Sequence, residues 1–270
     1  MRVSKSLALA VVPLLLMACS PKEDGGSPSP VGPVKTETVT PRTPLEFDQT
    51  TPAAKVRLKL ADGIAQYPVL HSRLFDDETN GLKTFADEAA KQNPPRPYAS
   101  QAEWTLAAAA PPLVSLRREF FEDTGGAHPM HGSGAWLWNT ATDKEVQPAE
   151  IFTAGADMTP IQNAVCEAVK SAKARREGSV PLSDMWKCPT WDEIVWTLVP
   201  SKTPGKAGGI AVLIGPYVVG PYSEGDYEVV VPLSVFQPLL APAYASAFAG
   251  EPARLGNADG TPTVRMQAEQ

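Results

Sequence analysis

Apolar and polar positions alternate at period two over residues 55–60, Lys-Val-Arg-Leu-Lys-Leu, which predicts a half-buried strand. From residue 67 to residue 90 the spacing becomes helical. Leu70, Leu74, Leu82, Phe85 and Ala89 fall on one face, Asn80-Gly81 offers a break, and Pro94, Pro95 and Pro97 end the segment. Residues 103–106 and 113–121, joined through Pro111-Pro112, read as strands, as do residues 135–138. After a polar turn at residues 139–144, Pro148, Glu150, Ile151 and Phe152 lead towards a helix. Asp157 or Thr159 caps it, Pro160 sits in its first turn, Ile161, Val165, Ala168, Val169 and Ala172 form its buried stripe, and Gly178 ends it. Three strand-like runs follow at residues 194–199, 209–214 and 227–232, then a short helix over 234–240. No regular β-α-β alternation is present, so the expected class is α+β, an antiparallel sheet with helices packed on one face. Two subdomains are expected, 52–110 and 111–249, divided at Pro111-Pro112.

The ends of the chain follow other patterns. Arg2 and Lys5 precede an apolar run, residues 7–17, too short to span a bilayer. The run ends in Ala18-Cys19, which resembles a bacterial lipobox. That resemblance implies a signal peptide over 1–19, an acylated (diacylglyceryl and palmitate-type) Cys19, and a membrane partner through the lipid anchor, which two or three acyl chains hold stably. Ser20 after the cysteine then points to the periplasmic side of the outer membrane rather than the inner membrane. Residues 20–51, rich in Pro, Ser, Gly and Thr, read as a disordered tether, and residues 250–270 as a disordered tail.

Composition narrows the function classes. The chain has 270 residues, 43% hydrophobic, and a net charge of −6, enough to build a sizeable core. No basic face stands out, so a nucleic-acid partner is not expected; Lys170, Lys173, Arg175 and Arg176 read as cations at a helix C-terminus. With Cys19 acylated, Cys166 and Cys188 remain. In an oxidising compartment the pair reads as a disulfide worth about 3 kcal/mol in the chain-entropy model.

Candidate chemistry gathers at residues 120–131. Gly125-Gly126 allows a tight reversal, and His128 is held extended before Pro129, with His131 three residues on. His-x-x-His in a Gly/Pro turn, even with Glu122 and Asp123 near, lacks a third ligand at a fixed offset, so neither metal nor cofactor is expected. Ser133 and Ser223 lie outside a nucleophile elbow, and His71 has no visible partner. The second centre is the Tyr-rich stretch 215–225, Gly-Pro-Tyr-Val-Val-Gly-Pro-Tyr-Ser-Glu-Gly. Trp138 and Tyr227 read as core, Trp136 as a further platform aromatic, and Tyr217, Tyr222 and Glu224 as binding candidates beside Gly125, Gly126 and His128.

Together, the corner Thr124-Gly125-Gly126-Ala127-His128-Pro129 and the stretch 215–225 resemble paired signatures of a bacterial extracytoplasmic domain of unknown function. That domain is the sensor part of lysozyme-binding anti-sigma factors and the non-catalytic region of some peptidoglycan deacetylases. The resemblance covers about 190 residues and implies a non-enzymatic module binding peptidoglycan or an envelope protein such as a lysozyme-like hydrolase. No sigma-binding segment and no deacetylase domain is present in this sequence, so those activities do not transfer. The alternative is a hydrolase or deacetylase acting on cell-wall glycan, with His128 working beside Asp123 or Glu224.

Overall fold

The computed structural model describes residues 43–257. The expected signal peptide, Cys19, most of the tether and residues 258–270 lie outside the described residues.

Strand β1 (Glu46–Thr50) pairs antiparallel with β2 (Ala54–Leu60). The Thr51 hydroxyl accepts from the backbone N–H groups of Ala53 and Ala54 and closes the turn between them. Residues 46–50, expected to be disordered, form an edge strand. In β2 the period-two pattern holds residue by residue, with Ala54, Val56, Leu58 and Leu60 buried. They pack under α1 (Pro68–Gln92), which starts on proline and ends at Asn93 in the left-handed conformation, φ 46°. The helix runs through Asn80-Gly81 without a break. An internal glycine costs about 1 kcal/mol, and burial of Leu70, Leu74, Leu82, Ala86 and Ala89 outweighs it. His71, partnerless in the sequence reading, is buried and bonds the Pro44 carbonyl through Nε2 at 2.9 Å, which docks the start of the described chain on α1.

Helix α1 carries the chain across to β3 (Tyr98–Ala110), which runs parallel to β2, a departure from the antiparallel expectation. β4 (Leu113–Asp123), β5 (Met130–Asn139) and the short β6 (Lys144–Glu145) follow antiparallel, giving one sheet in the order β1-β2-β3-β4-β5-β6. Pro111-Pro112, with a cis bond, is the turn of the β3–β4 hairpin. The expected subdomain boundary thus falls inside a continuous sheet.

The division that does exist runs through the sheet plane. Val114, Leu116 and Trp138 point to the α1 core, while Leu113 and Leu137 point to a second core. On β3 a bulge changes which parity faces where. Leu106 pairs with Leu116 but Ala108 pairs with Ser115, leaving Ala107 as the extra residue. Ala102 and Trp104 therefore face α1, and Ala108 and Ala110 the second core. That core is completed by β7 (Val195–Pro200), β8 (Ala207–Ile214) and β9 (Tyr227–Pro232), a three-stranded antiparallel sheet, with α2 (Thr159–Arg175) and α3 (Leu233–Phe236) against it. The Ser115 hydroxyl accepts the Leu198 N–H of β7 at 3.0 Å and ties the two sheets together. Cys166 on α2 is disulfide-bonded to Cys188, as expected. Asp157, not Thr159, serves the start of α2, accepting the Thr159 N–H at 3.0 Å.

Residues 250–257 are not a free tail. Gly256 bridges Val229, the Asn257 side chain accepts the Glu228 N–H at 2.8 Å, and Arg254 pairs with the buried Glu228 carboxylate. The other oxygen of Glu228 accepts from Arg117 of β4 at 2.6 Å.

Candidate functional site

The corner is the loop of the β4–β5 hairpin. Asp123 accepts the Gly125 N–H at 2.9 Å and an Arg96 guanidinium N–H at 2.8 Å, and Gly125 takes φ +79°, a conformation that favours glycine. The hydrogen bond from Arg96, then that from Gly125, holds the Asp123 carboxyl below its ordinary range. Gly126 is exposed and its backbone leaves room for a side chain. Both glycines shape the corner rather than converge on the aromatic groups.

The Tyr-rich loop, residues 215–226, is brought to this corner from 89 residues away. What pins it is buried charge. Glu224 is 7% exposed, and its Oε2 accepts from Lys173 Nζ and from the Tyr227 hydroxyl, each at 2.6 Å. Its Oε1 accepts the Val180 N–H at 2.6 Å. Lys173 also donates to the Val219 carbonyl at 2.8 Å, and Arg176 donates to the carbonyls of Glu224 and Asp226 while lying over the Tyr227 ring at 3.6 Å. Gly220 is required here, since a Cβ would sit 2.5 Å from the Glu224 carboxylate. Burial pushes the Glu224 carboxyl up, but the hydrogen bonds from Lys173, Tyr227 and Val180 and the Lys173 charge outweigh it, so it lies below the ordinary value. Burial, then the bond to Glu224, drives the Tyr227 hydroxyl far above its ordinary value. Glu224 was expected at the binding surface. It is instead the anchor beneath it, and the Lys173 and Arg176 expected only as helix-end cations are its clamp.

The pinned loop presents Tyr217 and Tyr222 to the histidines. His128 stacks on Tyr222 with ring centroids 3.9 Å apart and 25° between planes. Its Nδ1 donates to the Pro129 carbonyl at 3.0 Å, which leaves Nε2 to accept the Tyr217 hydroxyl at 3.0 Å. The Tyr222 hydroxyl donates to the same Pro129 carbonyl at 2.6 Å. Burial, and secondarily Tyr217, raises the Tyr222 hydroxyl above its ordinary value, so it remains a donor at neutral pH. His131 meets Tyr222 edge-on, with Nδ1 3.3 Å from the hydroxyl. Tyr217 is 47% exposed and holds φ +69°, a strained conformation for an aromatic residue. Such strain costs about 1–3 kcal/mol and persists only where neighbours enforce it. The result is an open tray of four rings, two imidazoles and two phenols.

Trp138 and Tyr227 are core residues, as expected, the one in the α1 core and the other under Arg176. Trp136, expected as a platform aromatic, packs instead against the α1 core beneath Arg73. Asp123 is engaged by Arg96 and Glu224 by Lys173, so neither couples to His128 as the acid–base alternative requires. Among the described residues no group of three or more His, Cys, Asp or Glu side chains converges, and no helix is long and apolar enough to cross a membrane.

Beside the tray runs a groove of about 250 Å³, lined by Phe120, Met130–Ser133, Glu193–Val195, residues 213–216 and Val218. No sequence signal marks it, because its walls come from four separated stretches of the chain.

The fold is similar to that of solved proteins. A DUF3298 family protein from Pseudomonas aeruginosa PAO1 matches with a TM-score of 0.52 at 15% identity, covering 76% of this chain and 94% of that one. A DUF3298 family member from Bacteroides fragilis matches with a TM-score of 0.47 at 16% identity, covering 74% and 93%. At this identity the Pseudomonas likeness establishes a shared fold, that of a bacterial domain of unknown function. No family model matches the sequence. No curated protein matches it either.

Proposed function

We propose that this chain is a lipid-anchored envelope protein that recognises peptidoglycan without chemically altering it, and that the tray formed by His128, Tyr217, Tyr222 and His131 is its binding surface. The anchor is Cys19, and the location is the periplasmic side of the outer membrane. One observation carries the reading: two segments 89 residues apart are pinned by a buried ion pair so that a strained, half-exposed tyrosine and an exposed histidine lie side by side. Aromatic rings of this kind offer an apolar face with a polar rim, which suits the apolar face and hydroxyl edge of a sugar ring. Because the tray is ordered before any ligand arrives, little entropy is lost on docking. The Cys166–Cys188 bond supports an oxidising compartment.

The test is retention of soluble protein beginning at Ser20 on insoluble peptidoglycan, with the glycan analysed for released or deacetylated products. Retention without product is expected. Tyr217→Ala is expected to weaken retention by roughly tenfold, the scale of about 1–1.5 kcal/mol for an aromatic contact. Product that disappears in His128→Ala would overturn the non-enzymatic reading. Absence of retention would remove peptidoglycan as the ligand. In cells, Cys19→Ala should move the protein from the membrane to the soluble fraction.

A further inference from the structure

Strand β5 has one partner along most of its length. Residues 130–139 all pair with β4, but on the opposite edge only Trp138 and Asn139 meet β6. Among the described residues no strand pairs with β5 on that edge from Met130 to Trp136. The groove lies against this edge. Its wall includes Met130, His131, Gly132 and Ser133 in succession. Successive strand residues point to opposite faces, so four in a row line a groove only when it follows the backbone edge. The facing wall, Glu193–Val195, opens β7, an edge strand that among the described residues pairs with β8 alone in its sheet.

The chemistry of the walls is defined. Phe120, Ile194, Val195, Leu213, Ile214, Pro216 and the half-exposed Met130 make it apolar. The Phe120 ring reaches the edge by crossing Gly132, where a Cβ would approach it to 2.7 Å. Glu193 lines the groove and is exposed, as is its chain neighbour Asp192, and no lysine or arginine is among the lining residues. The Glu193 carboxylate accepts the Thr190 N–H and hydroxyl at 2.8 and 2.9 Å, bonds that keep it ionised. The chain as a whole carries −6.

We propose that this groove, which borders the tray at His131, is a second binding site that takes an extended, cationic segment of a partner protein as an added strand on β5. Backbone hydrogen bonds to the open edge give affinity, the apolar walls take every second side chain, and Asp192 and Glu193 favour a basic segment. Four residues of β5 span about 13 Å, so the recognised segment is short.

The test uses soluble protein from Ser20 to Gln270 and an eight-residue peptide alternating valine and lysine. Comparators are its valine/glutamate counterpart and the same valine/lysine peptide N-methylated on alternate residues. Calorimetry gives affinity, and backbone amide NMR shifts locate the contact. Binding with shifts at Met130–Ser133 is expected. It should weaken about thirtyfold on N-methylation, since two N–H donors of about 1 kcal/mol each are lost. It should weaken roughly threefold in Asp192→Lys, an exposed position whose melting temperature should not move. Tyr217→Ala should leave it unchanged, which separates this site from peptidoglycan retention. Equal affinity for the N-methylated peptide would overturn strand addition, and preference for the glutamate peptide would overturn the cationic partner. Lack of binding by any peptide overturns the proposal. So does binding only after deletion of residues 258–270, which makes the chain's own end the occupant. A dimer in sedimentation that the peptide dissociates would assign the groove to a second copy and overturn it as well.

Discussion

Tyr217 is the residue in which stability and function pull apart. At φ +69° it occupies backbone space that glycine enters without strain. Tyr217→Gly is therefore expected to leave the melting temperature unchanged or higher while weakening retention on peptidoglycan about tenfold, a pair of readouts that a merely structural tyrosine would not split. Glu224 carries the opposite sign. Its folded value lies below the ordinary carboxylate value, so it contributes stability above the unfolded value near pH 4.3 and loses that contribution as pH falls through the folded value. Glu224→Gln should lower the melting temperature at pH 7 and flatten its fall between about pH 6 and pH 3. Lys173→Ala, which leaves a buried carboxylate unpaired, should cost about 3–5 kcal/mol in urea unfolding. The sequence showed Tyr217, Tyr222 and His128 as candidates because their Gly/Pro settings imply shaped loops. It misplaced Glu224 because a carboxylate among tyrosines looks like a ligand group until its cation is known. That cation, Lys173, lies 51 residues away on a helix face whose burial no local pattern reveals.

At the scale of elements, local periodicity was read well and its interruptions less so. The alternation of β2 and the stripe of α2 appear where the pattern puts them. Asn80-Gly81 looked like a break, but helix α1 is long enough that packing overrides one glycine. β1 was hidden in proline-rich surroundings because an edge strand needs little hydrophobicity when its neighbour carries the core. The parallel pairing of β2 with β3 follows from topology, which composition does not encode. Two links between elements can be measured. Ser115→Ala removes the acceptor of the Leu198 N–H and should cost about 1–3 kcal/mol by leaving that buried group unpaired. Replacing both Cys166 and Cys188 with alanine should cost about 3 kcal/mol in the same assay.

At the scale of the whole described chain, the expected pair of subdomains gives way to two cores that share strands. β3, β4 and β5 each send side chains into both. Neither core can lose its strands without exposing the other, so calorimetry should record one transition rather than two. Residues 250–257 belong to that unit. A chain ending at Ala249 loses the Arg254 partner of buried Glu228 and the Asn257 cap on its N–H, and should melt well below a chain ending at Asn257.

The single residue Ala107 has a wider consequence. It sets the phase of β3, since every side chain beyond it points to the face opposite the one that the preceding alternation dictates. Loops in this protein can lengthen or shorten at little cost; a one-residue deletion here would close the bulge, leaving Ala108, Ala109 and Ala110 opposite Ser115, Val114 and Leu113 and straightening the strand without reversing its faces. The bend of β3 between the two cores is thus set by one amino acid whose own side chain need do nothing.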